Sequence, residues 1–412
     1  MKFERYDLCK PLMQNLHGHG YFRTTDIQYK AIPSILRGED VLAIAHTGTG
    51  KTAAFAIPVI ERIHARKSSK RVTGVRCLVM VPTRELAQQI GEVFHSLAKH
   101  TKVNAYAVYG GLEQDPQVKR LEAGLDVVIA TPGRMFRLIR EGFLNVSFID
   151  TLVLDEADRM LGLGFLEDVK AVKRLLTQRH QTLFFSATIN PEIKKLAYSQ
   201  VRASAIRIQI SPEDPVSKNI THFVMFVEMG DKRFFLPEYL RQNPEGKFII
   251  FVRTRVRAER VAKTLEKLEI KSLTIHGEKE QLGRNQAMAA FRTGECRVLI
   301  ATDVSARGID VPDVTHVINY DLPEVAENYV HRIGRTGRGF NKGTAVSFCS
   351  SQEKPLLAEI ENWIGQPIDV IKLSKDHYEV VKVVQDKTLS LSELIEAEEN
   401  FRAQAKRKRR KR

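Results

Sequence analysis

From residue 41 to about residue 208, short apolar runs alternate with amphipathic stretches. The runs 41–45, 77–81, 103–108, 127–130, 151–154 and 182–185 are mostly apolar and predict strands covered on both faces. Between them, stretches such as 85–99 and 165–177 repeat their apolar positions at helical spacing. That alternation predicts a parallel sheet with helices on both faces. Residues 1–40 read as a short helical lead-in that stops at Gly38. The stretch 209–219 (QISPEDPVSKN) has two prolines, mixed charge and few apolar residues, and predicts a flexible linker. A second alternating series follows, with strands expected at 221–227, 247–252, 272–275, 297–301, 314–320 and 344–349. Helices are expected at 232–241, 255–268, 281–293 and 325–333. Two such layouts in tandem predict two related domains, 1–208 and 220–372, without a visible sequence repeat. Residues 373–412 are polar and charged, with one helical stretch at 389–404 and an end expected to be partly disordered.

Composition narrows the classes. The 412 residues are 43% hydrophobic and 27% charged, which is globular. No apolar run approaches the ~18–20 residues of a membrane-spanning helix, and the start (MKFERYDLCKPL) has no apolar core of a signal peptide. A cytoplasmic location is therefore expected, with no membrane partner. Cys9, Cys77, Cys296 and Cys349 are far apart and form no metal-binding pair, so they read as reduced and mostly buried. The formal net charge of +15, with residues 406–412 basic throughout (KRKRRKR), points to a polyanionic partner.

The chemistry concentrates first in 41–52 (VLAIAHTGTGKT). A buried strand runs into a turn where Gly48 and Gly50, with Thr47 and Thr49 between and beside them, let successive N–H groups face an anion. Lys51 supplies a point charge for the β- and γ-phosphates, and Thr52 a hydroxyl for Mg²⁺. The helix that starts here adds its positive end. The usual first glycine of this phosphate-loop pattern is Ala45. The second concentration is Asp155-Glu156-Ala157-Asp158, at the end of an apolar run where ligands meet a parallel sheet. Asp155 is placed to hold Mg²⁺ and Glu156 to orient water against the γ-phosphate.

With these motifs in order, the chain resembles the DEAD-box family of ATP-dependent RNA helicases, from residue 3 to about 350. The resemblance implies two tandem RecA-like domains that bind ATP, Mg²⁺ and RNA. It makes Gln28, closing GYFRTTDIQ, the adenine-reading side chain, with Tyr21 stacking on the base and Phe3 the isolated upstream aromatic. Thr24 stands where the family usually has Pro, which is expected to loosen this loop. His46 replaces the usual Gln or Glu. The hydroxyls of Ser186 and Thr188 are expected to bond Asp158 and couple hydrolysis to strand separation. His331 is the expected link between nucleotide site and RNA.

The resemblance also marks backbone-facing RNA contacts. They are Pro82, Thr83 and Arg84; Gly111, after Gly110; and Thr131, Pro132, Gly133 and Arg134. In the second half they are Arg253, Thr254, Arg284, Thr302 and Asp303. Gly308 and Asp310 match the ribose and interdomain contact, and Arg335 and Arg338 the arginine fingers that complete the catalytic set. Because those arginines and Lys51 fall in different domains, hydrolysis is expected to need both, with ATP and RNA binding cooperatively. The expectation is a monomeric, RNA-dependent ATPase that separates short duplexes locally. The alternative is a nucleotide-gated RNA clamp without productive unwinding.

Overall fold

The computed structural model describes residues 1–45, 48–67, 74–210, 216–303, 311, 313–337, 341–373 and 378. Thr47, Gly308, Asp310 and Arg338, with the expected helix at 389–404 and the basic end, lie outside the described residues. The chain divides into two compact units, Met1–Glu213 and Asp214–Arg412.

The first unit holds a seven-stranded sheet. Its strands are β1 (Val41–Ala45), β2 (Cys77–Met80), β3 (Ala105–Val108), β4 (Val127–Ala130), β5 (Thr151–Leu154), β6 (Gln181–Ser186) and β7 (Ile206–Ile210). They lie in the order β3-β4-β2-β5-β6-β1-β7, and every pairing is parallel. The alternation of each strand feeds two cores. Val41, Ala43 and Ala45 join one cluster with the helices Asp26–Leu36, Lys51–Arg66 and Arg84–Ala98. Leu42 and Ile44 join the other, with the helices Pro132–Arg140, Leu166–Leu175 and Pro191–Gln200. Strands coated on both sides have no polar face to show, which is why they read as continuous apolar runs.

The second unit repeats the plan. Its strands are β8 (Ile220–Phe226), β9 (Phe248–Phe251), β10 (Leu273–Ile275), β11 (Val298–Ala301), β12 (His316–Asn319), β13 (Gly343–Cys349) and β14 (Asp369–Val370). The order β10-β11-β9-β12-β13-β8-β14 is that of the first sheet, strand for strand. Again the strands alternate between two cores: Ile249 and Phe251 face one, Phe248 and Ile250 the other.

Two edge strands differ from the sequence expectation. β7 occupies residues 206–210, so Gln209 and Ile210 belong to a strand and not to the linker. β7 pairs with β1 from Val41↔Ile206 to Ala45↔Ile210. Only Ile208 of β7 is buried, too weak an alternation to read. At the far side of the stretch 209–219, Val216 is buried in the second unit's core. β14 is two exposed residues. No helix among the described residues is long and apolar enough to cross a membrane.

Candidate functional site

Six chemistry-bearing segments leave the first sheet at one edge, the carboxyl ends of its strands. Across that edge they run Gly110-Gly111 after β3, Thr131–Arg134 after β4, Pro82–Arg84 after β2, the acidic tetrad after β5, Ser186–Thr188 after β6 and the Gly-rich turn after β1. The segments expected to meet RNA thus occupy one half of the edge. Those expected to meet nucleotide occupy the other.

In the nucleotide half, Gly48 and Gly50 have φ +83° and +89°, conformations that side chains rarely adopt. Gly50 caps the helix Lys51–Arg66. A Cβ on Gly50 would run into the Gln28 amide, which donates from Nε2 to the Gly50 carbonyl at 3.2 Å. Gln28 Oε1 accepts the Thr25 N–H at 3.0 Å, closing a capping box on the helix Asp26–Leu36. Gln28 is thereby buried and held at both ends. Its second N–H and second lone pair are what it can offer an adenine. Tyr21 is half-buried and meets the ring of buried Phe3 edge-on at 6.3 Å. Thr24 does not loosen this loop. Its N–H donates to the Met1 carbonyl at 2.9 Å, and its hydroxyl to the same oxygen at 3.3 Å. A proline could make neither bond.

Lys51 is 7% exposed, and its Nζ has no hydrogen-bond partner among the described residues. Asp155 beside it is 3% exposed. Burial pushes the Asp155 carboxyl up, against the pull of the Lys51 ammonium, and Glu156 adds to the rise, so it stands at about 6. An unpaired buried ammonium is costly unless an anion completes it. Together with the glycine cradle, it fits a nucleotide's phosphates. Asp155 and the half-buried Thr52 hydroxyl are oxygen donors of the kind that suits Mg²⁺. Thr49 sits in the same turn, between the two glycines.

Glu156 is held in the left-handed region at φ +51°, a backbone strain common at working sites. Its Oε2 accepts from Arg159 Nη1 at 2.7 Å. Arg159 carried no expectation. Asp158 Oδ2 accepts from the N–H groups of Ala187 and Thr188, each at 3.1 Å, and from the Thr188 hydroxyl at 3.2 Å. The expected bond from Ser186 is absent: its hydroxyl donates to the Thr188 carbonyl at 2.8 Å. Ser186 ends β6 with its side chain buried, so it braces the turn that presents Thr188.

In the other half, Pro82 and Thr83 are buried. Thr83 caps the helix Arg84–Ala98, accepting from Leu86 N–H at 3.4 Å. Gly111, at φ +85°, packs so closely on the Arg84 guanidinium that a Cβ there would overlap it. Thr131 caps the helix Pro132–Arg140, and Gly133 is exposed. Arg134 Nη2 donates to the Leu112 carbonyl at 2.9 Å, while its buried Nη1 has no partner among the described residues. Desolvation lowers its pKa. Residues 110–112 thus meet Arg84 on one side and Arg134 on the other.

In the second unit, Thr254 caps the helix Arg255–Lys267, accepting from Arg257 N–H at 3.2 Å. Arg253 lies 3.5 Å from Glu353 and 3.6 Å from Glu324. Beneath it is a buried charge network that no motif announced. Lys232, fully buried, donates to the carbonyls of Tyr320 (2.8 Å) and Phe348 (3.0 Å) and to Glu353 Oε2 (2.5 Å). Asp321, also fully buried, accepts from Arg253 N–H at 2.9 Å and from Arg257 at 2.5 Å. Arg284 and Thr302 are nearly buried. Asp303 is gripped by Arg332, Nε at 2.6 Å and Nη2 at 2.8 Å, so its carboxylate is already committed. Arg335 is 5% exposed, and its Nε donates to the His331 carbonyl at 3.1 Å. The Arg-rich stretch 331–338 contained Arg332, but only the fold separates the structural arginine from its neighbours.

The DEAD/DEAH box helicase family matches residues 25–196, and the helicase conserved C-terminal domain matches 231–340. ATP-dependent RNA helicase SrmB of Haemophilus influenzae is 38% identical over 364 residues, 88% of this chain and 82% of that protein. ATP-dependent RNA helicase RhlB of Shewanella oneidensis is 37% identical over 379 residues, 91% of this chain and 86% of that one. Among solved structures, Saccharomyces cerevisiae Dbp5 bound to RNA and ADP BeF3 is 29% identical, with a TM-score of 0.82 over 94% of this chain and 99% of that one. Mss116 bound to ssRNA and UDP-BeF is 28% identical, with a TM-score of 0.83 over 92% and 81%. Matched in both units and along most of these relatives, the chain belongs to the DEAD-box ATP-dependent RNA helicase family.

Proposed function

We propose that this chain is an RNA-stimulated ATPase that grips RNA by its backbone and separates short duplexes locally. The observation that carries the reading is the buried Lys51 Nζ, without a hydrogen-bond partner among the described residues and beside Asp155, on the same sheet edge as Arg84, which packs on Gly111, and Arg134, which bonds Leu112. Lys51 and the backbone of Gly48–Lys51 would hold the β- and γ-phosphates, and Gln28 and Tyr21 the adenine. Thr52 and Asp155 would hold Mg²⁺, which supplies charge neutralisation on the phosphates when bound.

Glu156 would orient the attacking water once it gives up Arg159, and Arg335 would steady the developing charge. Asp158, bonded to the 187–188 backbone, carries any movement of the tetrad into the turn after β6. Lys51 and Glu156 belong to one unit and Arg335 to the other, so the proposed turnover would need residues of both. The residues expected to meet RNA present hydroxyls, guanidiniums and N–H groups, which suit phosphate and ribose. The reading is therefore of RNA bound with little sequence preference.

The test is phosphate release with and without single-stranded RNA, alongside Glu156→Gln. RNA should raise wild-type turnover severalfold, and the variant should lose about 10²–10⁴-fold. ATP and RNA binding without turnover would overturn this and leave a nucleotide-gated clamp.

A further inference from the structure

In the second unit a cavity of about 600 Å³ opens between the helices Lys232–Gln242 and Arg255–Lys267. Its floor is apolar, built from Leu236, Pro237, Val261 and Leu265, all buried. Its walls carry Arg233, Arg257, Arg260, Lys263 and Lys267, and no carboxylate lines it. Arg233, Arg260 and Lys263 are exposed and make no ion pair among the described residues. Arg257 is paired with buried Asp321, but the exposed Arg233, Arg260 and Lys263 set like charge around one hollow, and such a site concentrates anions.

The placement of the charges selects among anions. Positions 257, 260, 263 and 267 recur every three or four residues, so they follow one helix face. They extend along it for about 15 Å at the helical rise of ~1.5 Å per residue. A line of charge suits a string of phosphates better than one compact anion. The upper end of the line also joins the sheet edge. Asp321 accepts from Arg257 at 2.5 Å through one oxygen, and from the N–H of Arg253 at 2.9 Å through the other.

We infer that this groove holds single-stranded RNA beyond the segment met by Arg253 and Thr254, gripping its phosphates. The inference rests on the assignment of those two residues to RNA. The floor side chains are aliphatic and carry no donor or acceptor, so they do not read bases.

The test uses the full chain with a non-hydrolysable ATP analogue and labelled oligouridines of about ten and about twenty nucleotides, spanning one and more than one typical site. The variant is R260E/K263E, with R260K/K263R as the charge-keeping control. The wild-type preference for the long strand should exceed the R260E/K263E preference about tenfold, and the control should keep it. For the long strand, the slope of log affinity on log salt should fall by about 1.4 in R260E/K263E, two phosphates at ~0.7 each. An unchanged length preference in R260E/K263E overturns the inference. If wild type binds neither strand, the RNA assignment of Arg253 and Thr254 fails as well. If inorganic tripolyphosphate binds wild type but not R260E/K263E, while the length preference stays, the groove takes small anions and the inference falls.

Discussion

Lys232 is a fully buried ammonium with three acceptors, and its partner Glu353 supports Arg253 from below. Burial pushes the Glu353 carboxyl up. The Lys232 ammonium and the Ser350 groups more than cancel this and hold it below its ordinary value of 4.5. A carboxyl lowered on folding stabilises the protein above that ordinary value, and the contribution is lost as pH falls through the folded one. Lys232→Met strands the carboxylate and should cost about 3–5 kcal/mol in urea unfolding at pH 7. The deficit should shrink as pH falls toward and through 4.5, because the stranded carboxyl of the variant takes up a proton first and the wild type then loses the pair's contribution. K232M/E353Q should recover part of the loss at neutral pH. A deficit that ignores pH and the second substitution would mean that the pair is a bystander. No motif pointed to Lys232, because a lysine in a helical pattern reads as a solvated face. Only the fold shows that it is enclosed. The roles of Lys51 and Glu156 were legible because the spacing of their motifs is itself the chemistry.

At the scale of elements, one capping box ties the lead-in helix to the phosphate turn. Gln28 Oε1 serves the cap at Thr25, and Nε2 serves the Gly50 carbonyl. The two ends can be separated. Gln28→Glu keeps an oxygen for the Thr25 N–H but sets a carboxylate against the Gly50 carbonyl. Gln28→Ala loses both bonds. Losing the cap should cost about 1 kcal/mol, so the alanine variant should unfold at lower denaturant than the glutamate one. ATP affinity should drop in both, by about tenfold or more. Equal unfolding midpoints for the two variants would count against the cap. The central strands were readable as apolar runs, each feeding two cores. β7 was not, because an edge strand with Arg207 and Gln209 facing outward carries half the signal and follows the pattern of a linker.

At the scale of the whole molecule, the two sheets share one strand order although the sequence shows no repeat. The apolar periodicity was therefore enough to read the plan twice, while the order of strands within each sheet was not legible from it. The chain carries +15, and residues 406–412 are basic throughout. Deleting those seven residues should weaken RNA binding at low salt and flatten its salt dependence, since each phosphate neutralised adds ~0.7 to the slope on a single strand. Equal affinity with and without them at low salt would remove that segment from the binding account.

Apart from the adenine-reading lead-in, every segment expected to work in the first unit leaves its sheet at the carboxyl ends of the strands. At the opposite end of β6, residues 177–179 are exposed. The strand between them and Ser186, Gln181–Ser186, is itself about 17 Å long, five steps of ~3.3 Å. The fold thus has a working rim and a spare one. A fluorophore or a short tag placed at 177–179 would report on the first unit from the spare rim, away from the segments that do its chemistry.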